Sequence, residues 1–376
     1  PETAQSRHEV LNSFLLQWEM HDALFMWISE AIEVFRGAEA EVPPAEVARW
    51  IVGVVFAFVV VCFLLRSYFS VQGAGDGERS HWAGEVLGSI FAVLEGFPLV
   101  GLAALGLAVT IIAGELDLSV GSMAALAATV AVLTSPAGLV GCILIATVVG
   151  VVLGAVQGTL IGYLRINSLV FTIGTLILLR GLTYIASDNA PIILENFLIT
   201  DPLLDRYWIF SISSIVAVTV FVIAGLFLTY TRWGREIFAI GGSRKESRAA
   251  GVPQTRPLVL SFATSAGLAA LAGALASLKG GSATPGSYET VLLAAVTAAL
   301  IGGVSLYGGR GSMLGVLIGV LTLQVLLSGL QLLGAPNWAA NLATGLILLA
   351  FLGVDLVNGQ SPVADAVRRY SLRARA

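Results

Sequence analysis

Charge is scarce in this sequence. Only 12% of its 376 residues are Asp, Glu, Lys or Arg, while 57% are hydrophobic. Soluble domains carry about 25% charged residues. With a mean hydropathy of +0.89, the chain is excluded from the soluble globular class, and its length does not translate into two or three soluble domains. Ten-residue segments of alternating hydropathy are also missing, which excludes a transmembrane β-barrel. A net charge of −4 offers nothing to nucleic acid. The two cysteines, Cys62 and Cys142, lie in different apolar runs and read as small buried hydrophobes. The three histidines (His8, His21, His81) have no metal-ligand spacing. No G-x-x-x-x-G-K-S/T phosphate loop occurs, and no Ser/His/Asp or paired-carboxylate constellation marks an active site. We therefore expect no enzyme, no catalytic residue, no metal and no cofactor bound by this chain. No basic stretch precedes an apolar run at residue 1, so no cleaved signal peptide is expected.

What remains is an all-α polytopic membrane protein. Residues 1–48 are mixed and acidic, and LNSFLLQWEMHDALFMWISEAIEVF reads as an interfacial amphipathic helix. A transmembrane domain follows over 49–357, and a basic tail over 358–376. Ten apolar runs mark its spans: 50–69, 87–112, 118–134, 138–163, 168–186, 209–230, 257–279, 290–305, 312–333 and 337–357. The eighth is short and reads as a broken or half-inserted helix. With both termini cytoplasmic, Arg66, Arg79, Arg180, Arg206 and Lys279 fall outside and the rest of the 20 Lys and Arg fall inside. That bias obeys the positive-inside rule. Spans two to five and seven to ten then run in opposite senses, as in an inverted repeat. Each block carries a Gly/Ser-rich interruption after its first helix, GELDLSVGS (114–122) and GGSATPGSY (280–288), and paired interruptions point to a central pathway.

GELDLSVGS is the only charged part of Phe97–Leu133, a stretch that as one helix would be about 55 Å long against a hydrocarbon core of about 30 Å. A break is forced. Gly114 loosens the end of one helix. Asp117 then reads as the N-cap of the next, accepting free backbone N–H groups at its positive end. Ser119, Gly121 and Ser122 keep that helix narrow. Glu115 sits too early to cap and should face a partner or a water-filled cavity, with direct contact to a solute as the other reading.

RWGREIFAIGGSRKESRAAGVPQTRP (232–257) is the longest polar segment between spans. It reads either as a solvated basic loop or as a docking element, with a short helix over Ser243–Ala250 begun after Gly241–Gly242 and closed by Gly251. Ser243 and Glu246 have capping-box spacing. A third stretch, IGGVSLYGGRGSMLG (301–315), sets glycine pairs on either side of a turn near Arg310.

Together, GELDLSVGS, AIGGSRKESRAAGV and IGGVSLYGGRGS resemble three signatures of the membrane permease subunits of monosaccharide ABC importers, the ribose/xylose/galactose type. Their order and spacing fit over about residues 85 to 357. The resemblance implies a bacterial inner-membrane importer with two permease chains, cytosolic ATPase subunits that hold ATP and Mg, and a periplasmic or lipid-anchored sugar-binding protein. It also implies a coupling segment over Ile240–Val252, which contains Gly241, Gly242, Ser243, Arg244, Glu246, Ala249, Ala250 and Gly251. Two departures stand out. The E-L-D-A-I-A-A of many relatives is LLAAVTA (292–298) here, with Glu289 three residues too early, and Ser243–Arg244 replace the usual Asn and acidic residue. An ion-coupled secondary transporter using Glu115 and Asp117 is the alternative.

Overall fold

The computed structural model describes residues 81–357, apart from 208 and 333. The expected interfacial helix, the first span at 50–69 and the tail at 358–376 lie outside the described residues. Each of the nine later apolar runs contains one helix. Among the described residues six are long and apolar enough to cross a membrane, Val120–Leu133 and Val291–Ile301 are shorter apolar helices, and the last helix has an apolar stretch over Trp338–Leu352.

The chain runs through α1 (His81–Ile112), α2 (Val120–Leu133), α3 (Gly138–Leu164) and α4 (Ser168–Ala186). A lid of short pieces follows: β1 (Ile192–Ile193), α5 (Asp201–Leu204), β2 (Arg206–Tyr207) and β3 (Phe210–Ser211). Then come α6 (Ile212–Tyr230), α7 (Arg232–Gly242), α8 (Arg244–Ala249), α9 (Thr255–Gly280), β4 (Ser282–Ala283), α10 (Val291–Ile301), α11 (Met313–Leu332) and α12 (Asn337–Val357). The run expected to span 290–305 is helical only to Ile301. The sequence reading missed the lid, in which β2 pairs with β3 and β1 pairs antiparallel with β4 across 90 residues of chain.

α1 and α9 form the core. α1 packs on α10 and α11, α9 packs on α2 and α3, and the two touch each other. The tightest of these contacts is written in the sequence as a period of four. Ala146, Gly150, Gly154 and Gly158 face α9, and a methyl added at Gly154 would sit 2.3 Å from the Phe262 carbonyl oxygen. Lipid supplies no hydrophobic drive between helices, so such small-residue ladders, which let backbones approach, hold the bundle together. The opposite face of α3 leaves Val140, Leu144, Val148 and Val152 more than half exposed, as a lipid-facing stripe must be.

Pro98 lies inside α1. It has no N–H to give the Leu94 carbonyl, and in a membrane that carbonyl needs another donor. Ser214 of α6 supplies it, its hydroxyl donating to Leu94 O at 2.7 Å.

Candidate functional site

The three glycine-rich signatures meet at one end of the bundle. α1 ends in a Schellman closure: Glu115 N–H donates to Thr110 O (3.0 Å), Gly114 N–H donates to Ile111 O (2.9 Å), and Gly114 has φ +78°. Gly114 therefore closes the helix, where the sequence reading had it loosening the end. The freed Ile112 carbonyl accepts instead from Gly309 N–H at 2.8 Å. Gly241, near the end of α7, lies against the same carbonyl: a Cβ there would be 1.8 Å from Ile112 O and 2.7 Å from Gly309 N. A Cβ on Gly308 would meet Gly114 Cα and Gly241 O, each at 2.8 Å. Segments nearly 200 residues apart in sequence thus form one backbone-to-backbone junction, which only glycine permits.

From this junction the chain enters the bundle extended. Thr172 Oγ1 of α4 donates to Leu116 O at 3.2 Å, so α4 carries the linker backbone. Asp117 is fully buried. Its Oδ1 accepts from Ser119 N–H (3.0 Å) and Ser119 Oγ (2.6 Å), and its Oδ2 accepts from Ser265 Oγ of α9 (2.8 Å). Gln157 of α3 donates to Ser119 Oγ at 3.3 Å. The N-cap position of α2 belongs to Ser119 and the helix starts at Val120. Ser119 makes no side-chain cap bond. Asp117, two residues earlier, is the side chain that accepts a backbone N–H at this end, from Ser119, while its second oxygen is held by Ser265.

Glu115 does not share that network. Its carboxylate pairs with the Arg244 guanidinium, at the first residue of α8. Both line an open cleft of about 400 Å³ together with Arg165, Asn167, Ser168 and Leu306. Arg165 and Asn167 come from the α3–α4 turn, where Arg165 takes a left-handed conformation (φ 54°) and Asn167 caps α4 by accepting from Leu169 N–H at 2.9 Å. None of these turn residues was singled out from sequence. Burial draws the Arg244 side chain below its ordinary pKa, and neighbouring Arg248 pushes the same way.

The polar segment before α9 holds two helices where one was expected over Ser243–Ala250. The first, α7, spans Arg232–Gly242, begins at Thr231, whose hydroxyl accepts from Gly234 N–H (3.1 Å), and buries Gly234, Glu236, Ile237 and Ile240. Gly241 and Gly242 close this helix, and the next begins directly after them. Ser243 then caps α8, accepting from Glu246 N–H at 3.3 Å. The reciprocal half of a capping box is taken up elsewhere, since Ser243 N–H donates to Ala239 O and terminates α7. Apart from Ser247, the residues of α8 are exposed, including Arg244, Glu246 and Ala249, and Ala250 and Gly251 beyond its end are exposed as well.

Ser122 lies apart from both groups, in a narrow pocket with Gly121, Arg180, Tyr288 and Glu289. Arg180, counted from sequence among the cations outside the bilayer, is the thirteenth of 19 residues in α4 and pairs with Glu289 at 2.9 Å. The signal was present in sequence, as a lone arginine inside an apolar run.

A family model described as "Branched-chain amino acid transport system / permease component" matches residues 89–352. The ribose import permease protein of Escherichia coli is 31% identical over 287 residues, covering 72% of this chain and 86% of that protein. Its Bacillus subtilis counterpart is 33% identical over 271 residues, with 71% and 84% covered. The fructose import permease protein of Bifidobacterium longum is 32% identical over 261 residues, with 66% and 77% covered. No solved structure matches the chain. With its three signatures joined at one end of the bundle and the family match running through nearly all the described helices, the chain belongs to the permease-component family of ABC import systems.

Proposed function

We propose that this chain is the pathway-forming permease of an ATP-driven, binding-protein-dependent importer for a monosaccharide or similar small polar solute. The observation that carries the reading is the glycine junction. It fastens the exposed α7–α8 element to the point where α1 breaks into α2. A push on α8 by a soluble partner therefore arrives at the linker that holds Glu115 and Asp117. In this reading the coupling segment comprises Ile240, Gly241, Gly242, Ser243, Arg244, Glu246, Ala249, Ala250 and Gly251, within a cytoplasmic loop at 231–256. Glu115, Asp117, Ser119 and Ser122 belong to the pathway and its helix break. ATP and Mg are bound by the partner ATPase, and this chain binds no cofactor.

Ten spans over 49–357, with cytoplasmic termini and a cytoplasmic basic tail at 358–376, complete the proposed topology in the bacterial inner membrane. Reciprocal packing supports the inverted repeat: α1 lies on α10 and α11 as α9 lies on α2 and α3. The partners are ATPase subunits, a second permease chain (a copy or a paralogue) and a periplasmic or lipid-anchored sugar-binding protein. Ion coupling is the weaker reading, because Glu115 is paired by Arg244 and Asp117 is held by three hydrogen bonds. Co-purification tests the proposal: the chain should bring down an ATPase subunit, and Gly251→Trp should leave that complex hydrolysing ATP without import. Recovery of the chain free of any ATPase from membranes that import the sugar would refute it.

A further inference from the structure

α4 is about 28 Å long at 1.5 Å per residue, and Arg180 lies about 18 Å along it, well inside a helix long and apolar enough to cross a membrane. Its partner Glu289 sits in the segment between α9 and α10. Their side chains are 40% and 54% exposed. A half-exposed ion pair at this depth cannot face lipid tails cheaply, and intramembrane charges face water-filled cavities or other protein. A buried structural strut would hide both partners, which this pair does not. Other polar groups gather around it. Tyr184 stands one helical turn from Arg180, and a methyl on Gly286 would lie 3.8 Å from the Tyr184 hydroxyl and 3.9 Å from Glu289 Oε1. Ser122 of α2 and Tyr288 line the same pocket, whose free volume is only about 10 Å³. That is room for about one water molecule and far too little for a sugar. Across from it, a Cβ on Gly121 would lie 2.8 Å from the Tyr288 carbonyl, so α2 already touches the interrupted segment.

We propose that Arg180, Glu289, Tyr184 and Ser122 form a solute-contacting constriction inside the membrane, closed in this state. A polyhydroxylated solute passing it exchanges water for hydrogen bonds to the guanidinium–carboxylate pair and the neighbouring hydroxyls. The proposal rests on the importer reading above and names where in that pathway the solute is touched.

The test uses the complete importer in proteoliposomes, with binding protein outside and ATP inside, and a panel of radiolabelled pentoses and hexoses as probes. Absence of wild-type uptake across the panel overturns the importer reading and the constriction with it. Given wild-type uptake, Arg180→Gln and Glu289→Gln should each lower it at least about tenfold, the size of one lost charge-assisted hydrogen bond. Binding-protein-stimulated ATP hydrolysis should change by less than about threefold, and the ranking of sugars that differ at one hydroxyl should shift. If the exchanged pair Arg180→Glu/Glu289→Arg restores parental uptake with the parental ranking, the pair is a strut and the proposal fails. A second measurement does not depend on the charge variants folding. In a chain with Cys62→Ala and Cys142→Ala, Ser122→Cys should react with a cationic, membrane-impermeant thiosulfonate faster during turnover, and slower when the transported sugar is in excess. No reaction in any state overturns the proposal.

Discussion

Gly241→Ala and Gly242→Ala are adjacent substitutions that the structure separates. Both residues end α7. At Gly241 the added carbon would fall 1.8 Å from the Ile112 carbonyl oxygen, where 3.0 Å is the floor for real contacts, so something must move by more than 1 Å. The atoms in the way are backbone, and the movement breaks the bond from Gly309 N–H to Ile112 O, now 2.8 Å. Overpacking costs about 1–3 kcal/mol, and leaving that donor and acceptor unpaired adds about 1–3 kcal/mol. The sum is about 2–6 kcal/mol. At Gly242 an added Cβ meets nothing within 4 Å, and alanine in a helix gains up to about 1 kcal/mol over glycine. The assay is retention of monodisperse protein in nanodiscs after a series of heating steps, with ATP hydrolysed per sugar imported as the functional readout. Gly241→Ala should lose retention at a markedly lower temperature and hydrolyse ATP with little import, while Gly242→Ala should match or exceed the parent in both. Equal behaviour of the two variants would refute the junction.

Replacing Asp117 with Ala leaves Ser119 N–H and two hydroxyls without their acceptor and should cost about 2–4 kcal/mol, read by the same heating series; Asp117→Asn should cost less than half as much. Glu115→Gln should change stability by no more than about 1 kcal/mol, because Arg244 is about half exposed. Import by that variant should stay dependent on ATP and indifferent to proton or sodium gradients, as flux under ionophores would report. Gly251 has φ +78° and open space around it, so Gly251→Trp should fold at a cost of about 1–2 kcal/mol yet uncouple hydrolysis from uptake. Ser214→Ala strips the Leu94 carbonyl, left without a helical donor by Pro98, of its partner and should lower stability by about 1 kcal/mol.

Much of the fold was legible because a bilayer leaves the chain few options. Apolar runs of sufficient length must become helices, and helices stand where nine of the runs were read. The lid between α4 and α6 was not legible, since β1 pairs with β4 across 90 residues and two-residue strands leave no periodicity. The breaks could be located from length and charge, but their partners could not. Glu115 finds Arg244, which the sequence places 129 residues away, in the implied coupling segment. Local spacing suggested that Asp117 accepts a backbone N–H at the start of the next helix, but its second partner, Ser265 of α9, could not be read from it. Gly241 and Gly242 looked alike in sequence, and only tertiary approach tells the helix terminus pressed on Ile112 from the one facing open space.

In the proposed importer this chain conducts but does not power transport. The most direct measurement is sugar flux into proteoliposomes holding the chain alone or with its ATPase and binding protein. Flux is expected only in the complete assembly and only with ATP inside. Flux through the chain alone, driven by an imposed proton or sodium gradient, would contradict it.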